Sequence, residues 1–275
     1  MSPNKASRTS TTPAPRIYLI SRPTFDFHSL SEFLELEGVS WRRTEGSTSA
    51  EEVIEVSGRV CYMSFGRKQS PRTTPEYIGN LVEMGHESVL EHACWTFLVT
   101  GVSRAFSHQL VRHRVGFSFS QLSQQYHDET EARFIAPENI SKLPEVMQIW
   151  HQSNRVAKES YSKILDLLEQ VENGNYSEMS KRELRRAIRS AARSVLPNAT
   201  ETKIMMTANA RAIRYFLTVR GGIAGDFEMR RVSAMLLKIM KKEAPAVFRD
   251  FGIDTLDDHS PIVVHRQRTS KAHKQ

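Results

Sequence analysis

A chain of 275 residues and 31.4 kDa is long enough to bury one large core or two small ones without disulfide or metal staples. Its 39% hydrophobic and 25% charged residues, with no run near the roughly 18 apolar residues a membrane span needs, exclude a transmembrane reading. The net charge of +7 sits wholly at the two ends, on Lys5, Arg8 and Arg16 and on Arg266, Arg268, Lys271 and Lys274, so residues 17–264 are formally neutral and a nucleic-acid partner is not expected.

The chain is expected to divide into a disordered basic leader (1–16), a single domain (17–264) and a disordered basic tail (265–275). The leader lacks the apolar core of a signal peptide, which points to a cytoplasmic protein. The first strand is read at 17–21, before Pro23, followed by a short helix at 29–37 that stops at Gly38. Residues 48–63 start with Ser/Thr, carry Glu51 and Glu52 where a helix dipole favours acids, and continue through Val53, Ile54, Val56 and Val60, which predicts a helix. Residues 64–73 read as a loop, and Thr74-Pro75 opens a helix closed by Gly85. Residues 93–100 (Ala, Cys, Trp, Thr, Phe, Leu, Val, Thr) are β-prone and read as a buried strand.

Residues 103–111 return to helical spacing, and 116–126 alternate as an extended segment or loop. A long helix is predicted over 143–171 from Val146, Ile149, Trp150, Ile164, Leu165, Leu167, Leu168 and Val171. A second helix runs over 181–194 before Pro197, a strand lies near 202–207, and helices cover 209–219 and 227–240 or beyond. This irregular alternation of β and α predicts an α+β fold rather than a doubly wound sheet.

Cys61 and Cys94 show neither a CxxC nor a Cys/His ligand spacing, so neither a disulfide framework nor a zinc site is expected. There is no Walker loop and no HExxH, and the glycines of 221–225 follow a helix, where they read as a helix stop rather than a dinucleotide turn. His86 and His92 are not spaced to share a helix face, so a metal site is not expected there. The unusual segment is Gln109-Leu110-Val111-Arg112-His113-Arg114, followed at 117–126 by Phe, Ser, Phe, Ser, Gln, Leu, Ser, Gln, Gln and Tyr. Three planar donors at a helix end, then hydroxyls and amides, can bond phosphate, ribose or a base edge.

Arg112-His113-Arg114 with the later Gln121-Leu122-Ser123-Gln124-Gln125-Tyr126 resembles the RHRx7S signature of the flavin-dependent thymidylate synthases (ThyX). Gly85-His86-Glu87-Ser88 with Glu91-His92 resembles that family's GHxS/T…EH segment, and Ala192-Arg193-Ser194-Val195-Leu196-Pro197 resembles its ARxVLP. Asn209-Ala210-Arg211 and Arg220 match its NxR and following arginine. The likeness spans roughly residues 17–248. It implies a ThyX-like mixed helix/sheet subunit assembling as a homotetramer with sites shared between chains, FAD as cofactor, NADPH as reductant and 5,10-methylenetetrahydrofolate as co-substrate. It also implies that no cysteine attacks the pyrimidine.

Carried over by match, the flavin contacts are His86, Ser88, Arg112, His113, Arg114, Gln121, Asn209, Ala210, Arg211 and Tyr215. The contacts to the nucleotide, UMP or dUMP, are Gln109, Arg112, Gln121, Leu122, Ser123, Gln124, Gln125, Arg193 and Arg220. Arg220 is the catalytic candidate, because a guanidinium beside uracil N3 and O4 stabilises the charge that makes C5 nucleophilic.

Three departures stand out: residues 115–122 hold one residue more than the family's seven, Gln125 replaces the arginine of SxRY, and Ala224 replaces a histidine. They suggest a wider pocket, as in the branch of the family that methylates UMP as well as dUMP in nucleoside-antibiotic biosynthesis. A strict dUMP enzyme and a non-catalytic nucleotide-binding homologue are the alternatives.

Overall fold

The computed structural model describes residues 13–172 and 180–266. β1 (Arg16–Ser21) leads to α1 (Phe27–Leu36), where the Asp26 side chain caps the helix by accepting from the backbone N–H groups of His28 and Ser29. α2 (Ser49–Tyr62) starts from a reciprocal cap: the Glu51 N–H donates to the Thr48 hydroxyl, and the Thr48 N–H to the Glu51 carboxylate. α3 (Thr74–Glu83) carries Pro75 in its first turn and ends in a paired hydrogen-bond pattern, with the Gly85 N–H reaching the Val82 carbonyl and the His86 N–H reaching that of Leu81. Gly85 supplies the positive φ of 73° which that ending requires.

The remaining elements are β2 (Cys94–Ser103), α4 (Arg104–Leu110), β3 (Phe117–Gln121), α5 (Glu138–Ser141), α6 (Pro144–Glu172), α7 (Lys181–Ala192), β4 (Glu201–Asn209), α8 (Ala210–Arg220), α9 (Phe227–Glu243), β5 (Phe251–Thr255) and β6 (Pro261–His265). Four strands form one sheet in the order β1-β2-β4-β3. β5 and β6 form a separate antiparallel hairpin, with Phe251 opposite His265 and Ile253 opposite Val263. The mixture is α+β, as expected from the sequence. Of the expected leader only residues 13–16 are described, with Arg16 in β1, and of the expected tail only His265, in β6, and Arg266, whose N–H bonds the Asp250 carbonyl.

The chain forms two compact units, and β2 and β4 each contribute residues to both. Among the described residues the first comprises 13–16, 100–110, 121–172 and 180–204, and the second 17–99, 111–120 and 205–266. In the first, Tyr161, Leu165, Ile188 and Ala192 are buried together and join α6 to α7. In the second, Leu34, Trp41 and Phe65 close one cluster, while buried residues along α8 and α9, such as Phe216, Leu217, Leu237 and Met240, line another.

Three features go beyond what the sequence pattern shows. The buried face of α2 carries Glu51, Glu52, Glu55 and Arg59 beside Ile54, whereas Val60 is exposed. Partners explain the buried charges: Glu51 accepts the Ala246 N–H at 2.7 Å, and Glu55 accepts from Arg59, Trp41 and the Thr74 hydroxyl. Along α6, Tyr161 and Leu165 reach the core with Ile164 and Leu168 packed against it, whereas Ile149, Leu167 and Val171 are exposed. Finally, the β5–β6 hairpin was not expected: each strand has five residues, β5 is interrupted by Gly252, and neither shows a period before they pair.

Candidate active site

Residues expected at the flavin fall in the second unit, apart from Gln121. Those expected at the nucleotide fall in the first, apart from Arg112 and Arg220.

In the second unit, α8 organises the group. Asn209 caps it, its Oδ1 accepting from the Ala212 N–H at 2.8 Å, while the Asn209 N–H reaches the Gly116 carbonyl at 3.2 Å. The Ala210 N–H donates to the Ala93 carbonyl. Residues 114–117 make a turn closed by the Phe117 N–H on the Arg114 carbonyl, with Gly116 at φ 72°. A Cβ on Gly116 would lie 2.8 Å from both the Asn209 amide and the Ala212 methyl, so the turn is seated on the start of α8. The extra residue noted in this segment therefore does not loosen it. The turn instead projects Val115, which is 87% exposed.

His113 is half-buried against the edges of Tyr215 and Phe216 and near Phe117, at ring centroid distances of 6.1, 5.2 and 6.1 Å respectively. Arg220, the last residue of α8, donates from Nε to His113 Nε2 at 3.0 Å. Accepting that bond requires Nε2 to be unprotonated, and burial together with the Arg220 charge accordingly lowers the His113 pKa. Arg112 and Arg114 are exposed on either side of it, and so is the ring of Tyr215.

Arg211, expected at the flavin, is engaged in ion pairs. It pairs with Glu91 at 2.6 Å and Glu87 at 3.6 Å, and the hydrogen bond to Glu91 raises its pKa. The acids come from the six-residue 3-10 segment Glu87–His92, on which Ser88 is exposed; His86, which precedes it, is exposed too. Those two acids hold Arg211 to the segment, so it brings no uncompensated charge to an anion.

In the first unit, Gln121 ends β3 with its Nε2 donating to the hydroxyls of Ser107 and Thr202, at 2.9 and 3.1 Å. The Leu122 N–H reaches the Lys203 carbonyl, and the Ser123 carbonyl accepts from the N–H groups of Tyr126 and His127, which folds 123–127 into a tight turn. Gln109 is half-buried on α4, and Arg193 opens the 3-10 turn Arg193–Val195 after α7. Gln125 is held at both ends of its amide, accepting from Arg186 Nε at 3.1 Å and donating to the Ser190 hydroxyl at 3.3 Å.

Reasoning from the sequence missed Arg104, Glu129 and Arg186. Arg104 is half-buried, and its pKa is lowered by burial and by the Arg193 charge. Glu129 is 4% exposed, and burial raises its pKa against the pull of His127, Gln124 and Arg104. Its Oε1 and the buried Gln124 Nε2 lie close enough to interact, yet neither has a hydrogen bond of good geometry. Nothing local in the sequence marks Glu129. Arg186 could have been found, because Arg182, Arg186, Arg189 and Arg193 recur at helical spacing on one face.

No group of three or more His, Cys, Asp or Glu side chains suited to a metal occurs among the described residues. Nor is any described helix long and apolar enough to cross a membrane.

Residues 44–246 match the Thy1 family, described as thymidylate synthase complementing protein. A flavin-dependent thymidylate synthase of Corynebacterium aurimucosum is 40% identical over 225 residues, covering 81% of this chain and 88% of that protein. That of Mycobacterium avium is 40% identical over 235 residues, covering 84% and 91%, and that of Mycobacterium tuberculosis is 38% identical with the same coverage. The chain belongs to the Thy1 family, the family of the flavin-dependent thymidylate synthases.

Proposed function

We propose that this protein is a flavin-dependent methyltransferase acting on C5 of a uridine 5′-monophosphate, with FAD as cofactor, NADPH as reductant and 5,10-methylenetetrahydrofolate as one-carbon donor. The observation that carries this reading is the Arg220–His113 bond, which ties the last residue of α8 to the centre of the Arg-His-Arg segment. A neutral imidazole fixes the guanidinium without cancelling its charge. That charge then stabilises the electron density that builds on uracil N3 and O4 as C5 attacks. No cysteine is needed for this step, in keeping with Cys61 and Cys94, which are both free thiols at exposed positions.

The donor set suits a flavin dinucleotide. Arg112 and Arg114 offer exposed guanidinium groups to its phosphates, α8 presents its N-terminus at Asn209, and His113 with the exposed Tyr215 ring offers planar surface. When bound and reduced, the flavin supplies the hydride that completes the methyl group. His86, Ser88, Ala210 and Gln121 complete the proposed flavin set. Arg211, already paired with Glu87 and Glu91, acts in it by holding the 3-10 segment that presents Ser88. Gln109, Leu122, Ser123, Gln124, Gln125 and Arg193 serve the nucleotide. Sites shared between the chains of a homotetramer are part of the reading, supported by exposed apolar side chains such as Ile149 and Leu167 on α6.

UMP is proposed as a substrate beside dUMP. Steric discrimination against one small group seldom exceeds about a hundredfold, and rates within that span are expected unless the pocket has no room for the 2′-hydroxyl. The test offers dUMP and UMP in parallel to flavin-loaded protein with methylenetetrahydrofolate and reductant, and identifies 5-methyl products by mass. Product from dUMP alone would make this a strict thymidylate synthase; tight nucleotide binding without product from either would make it a non-catalytic homologue.

A further inference from the structure

Position 125 is the point where this chain departs most in charge from the family it belongs to, a neutral amide standing where the resemblance calls for a guanidinium. The amide is nevertheless not left to solvent. Its oxygen accepts from Arg186 Nε at 3.1 Å and its nitrogen donates to Ser190 at 3.3 Å, so one turn of α7 fixes it at both ends. A full positive charge is thereby delivered within one hydrogen-bond length of the end of the side chain at 125.

On this face of α7, Arg189 is already used: it donates to the Tyr126 carbonyl at 2.7 Å and lies 3.7 Å from the Asp128 carboxylate. Arg182, like Arg186, lies over the Tyr126 ring, 5.8 Å from its centroid. Glu183, the sole acid of the helix, is drawn back to the Ser180 cap, where the Ser180 hydroxyl donates to it at 2.8 Å. Arg186 meets Gln125 and the Tyr126 ring but has no carboxylate within ion-pair distance among the described residues, and its contact to Gln125 uses Nε, the base of the fork. A guanidinium held by Nε, with no carboxylate in direct contact, keeps its two terminal nitrogens for an anion.

We propose that Arg186 is a phosphate-binding residue of the nucleotide site, supplying from α7 the charge that residue 125 does not carry. The inference rests on the proposed nucleotide reading and deepens it: Gln125 becomes a bracket that aims a neighbouring cation, and the ligand is a nucleoside monophosphate dianion.

Titration calorimetry with flavin-loaded protein tests it, using dUMP and deoxyuridine as the two probes. Arg186 is exposed, so Arg186→Ala is expected to keep its melting temperature and flavin content. Its affinity for dUMP is expected to fall about 10- to 100-fold, while that for deoxyuridine, which has no phosphate, stays within about twofold. Returning the charge to the other side chain, in Q125R/R186A, is expected to recover most of the loss. Unchanged dUMP affinity in Arg186→Ala, an equal loss for both probes, or no recovery in the double variant would each overturn the assignment. Failure of the wild-type protein to bind dUMP at all would instead sink the nucleotide reading on which it rests.

Discussion

The Arg220–His113 bond makes a prediction about protons. Burial, followed by the Arg220 charge, holds the His113 pKa below its ordinary 6.5, so in the folded protein the ring stays neutral to lower pH than it does in the unfolded chain. The contribution of the neutral ring to stability is therefore complete above 6.5 and is lost as pH falls through the folded value. The groups facing it are Arg220 and Tyr215 from α8, with Phe117 and Phe216 and the flanking Arg112 and Arg114; no carboxylate faces it in any described contact. Turnover is expected to fall on the acid side with one ionisation below 6.5, as protonation breaks the bond that aims Arg220. His113→Gln, which keeps an acceptor but does not titrate, should flatten that limb; an acid limb unchanged in that variant would show that another group controls it. The types of these residues could be read from the sequence, since Arg112, His113, Arg114 and Arg220 all stand in motifs. Their pairing could not, because 107 positions separate His113 from Arg220 and only the fold joins them.

At the scale of elements, capping chemistry and punctuation were the legible part. The acids after a Ser/Thr start at 48–52, and Pro75 with Gly85, mark helix ends by local chemistry that needs no tertiary partner. What escaped was anything decided by a distant partner: which face of α2 is buried, and the β5–β6 hairpin. The hairpin matters to the site because the Val263 N–H donates to the Gly221 carbonyl at 3.0 Å, and Arg230 bonds both the Ile223 carbonyl and the Ser260 hydroxyl, fixing the segment that follows Arg220. The 115–122 segment shows the same limit. The extra residue suggested a wider pocket, but the positive φ of Gly116 and its close approach to Asn209 and Ala212 make the turn a fixed joint. Gly116→Ala is accordingly expected to cost about 2–4 kcal/mol, from left-handed strain added to overpacking. Denaturant unfolding of the flavin-free protein measures this, and a change under about 0.5 kcal/mol would mean that the turn is not seated on α8.

For the whole molecule, the fold class and the family-wide motifs were legible, whereas the division into two units was not, since it cuts through β2 and β4 rather than at a linker. The proposed chemistry rests on Arg220, the residue assigned to activating the uracil. It is half-buried at the end of α8, so replacing it by alanine removes a charge while leaving the buried faces of α8 and α9 intact. The decisive measurement compares wild type and Arg220→Ala at equal flavin content, following by mass the nucleotide formed from dUMP in the presence of methylenetetrahydrofolate and reductant. The expected result is a 5-methylated product from the wild type and at least about a hundredfold less from Arg220→Ala, the loss that removal of one charge-stabilising group typically brings. Wild-type turnover that survives unchanged in Arg220→Ala would contradict the role given to this residue, and the absence of any methylated nucleotide from the flavin-loaded wild type would contradict the function itself.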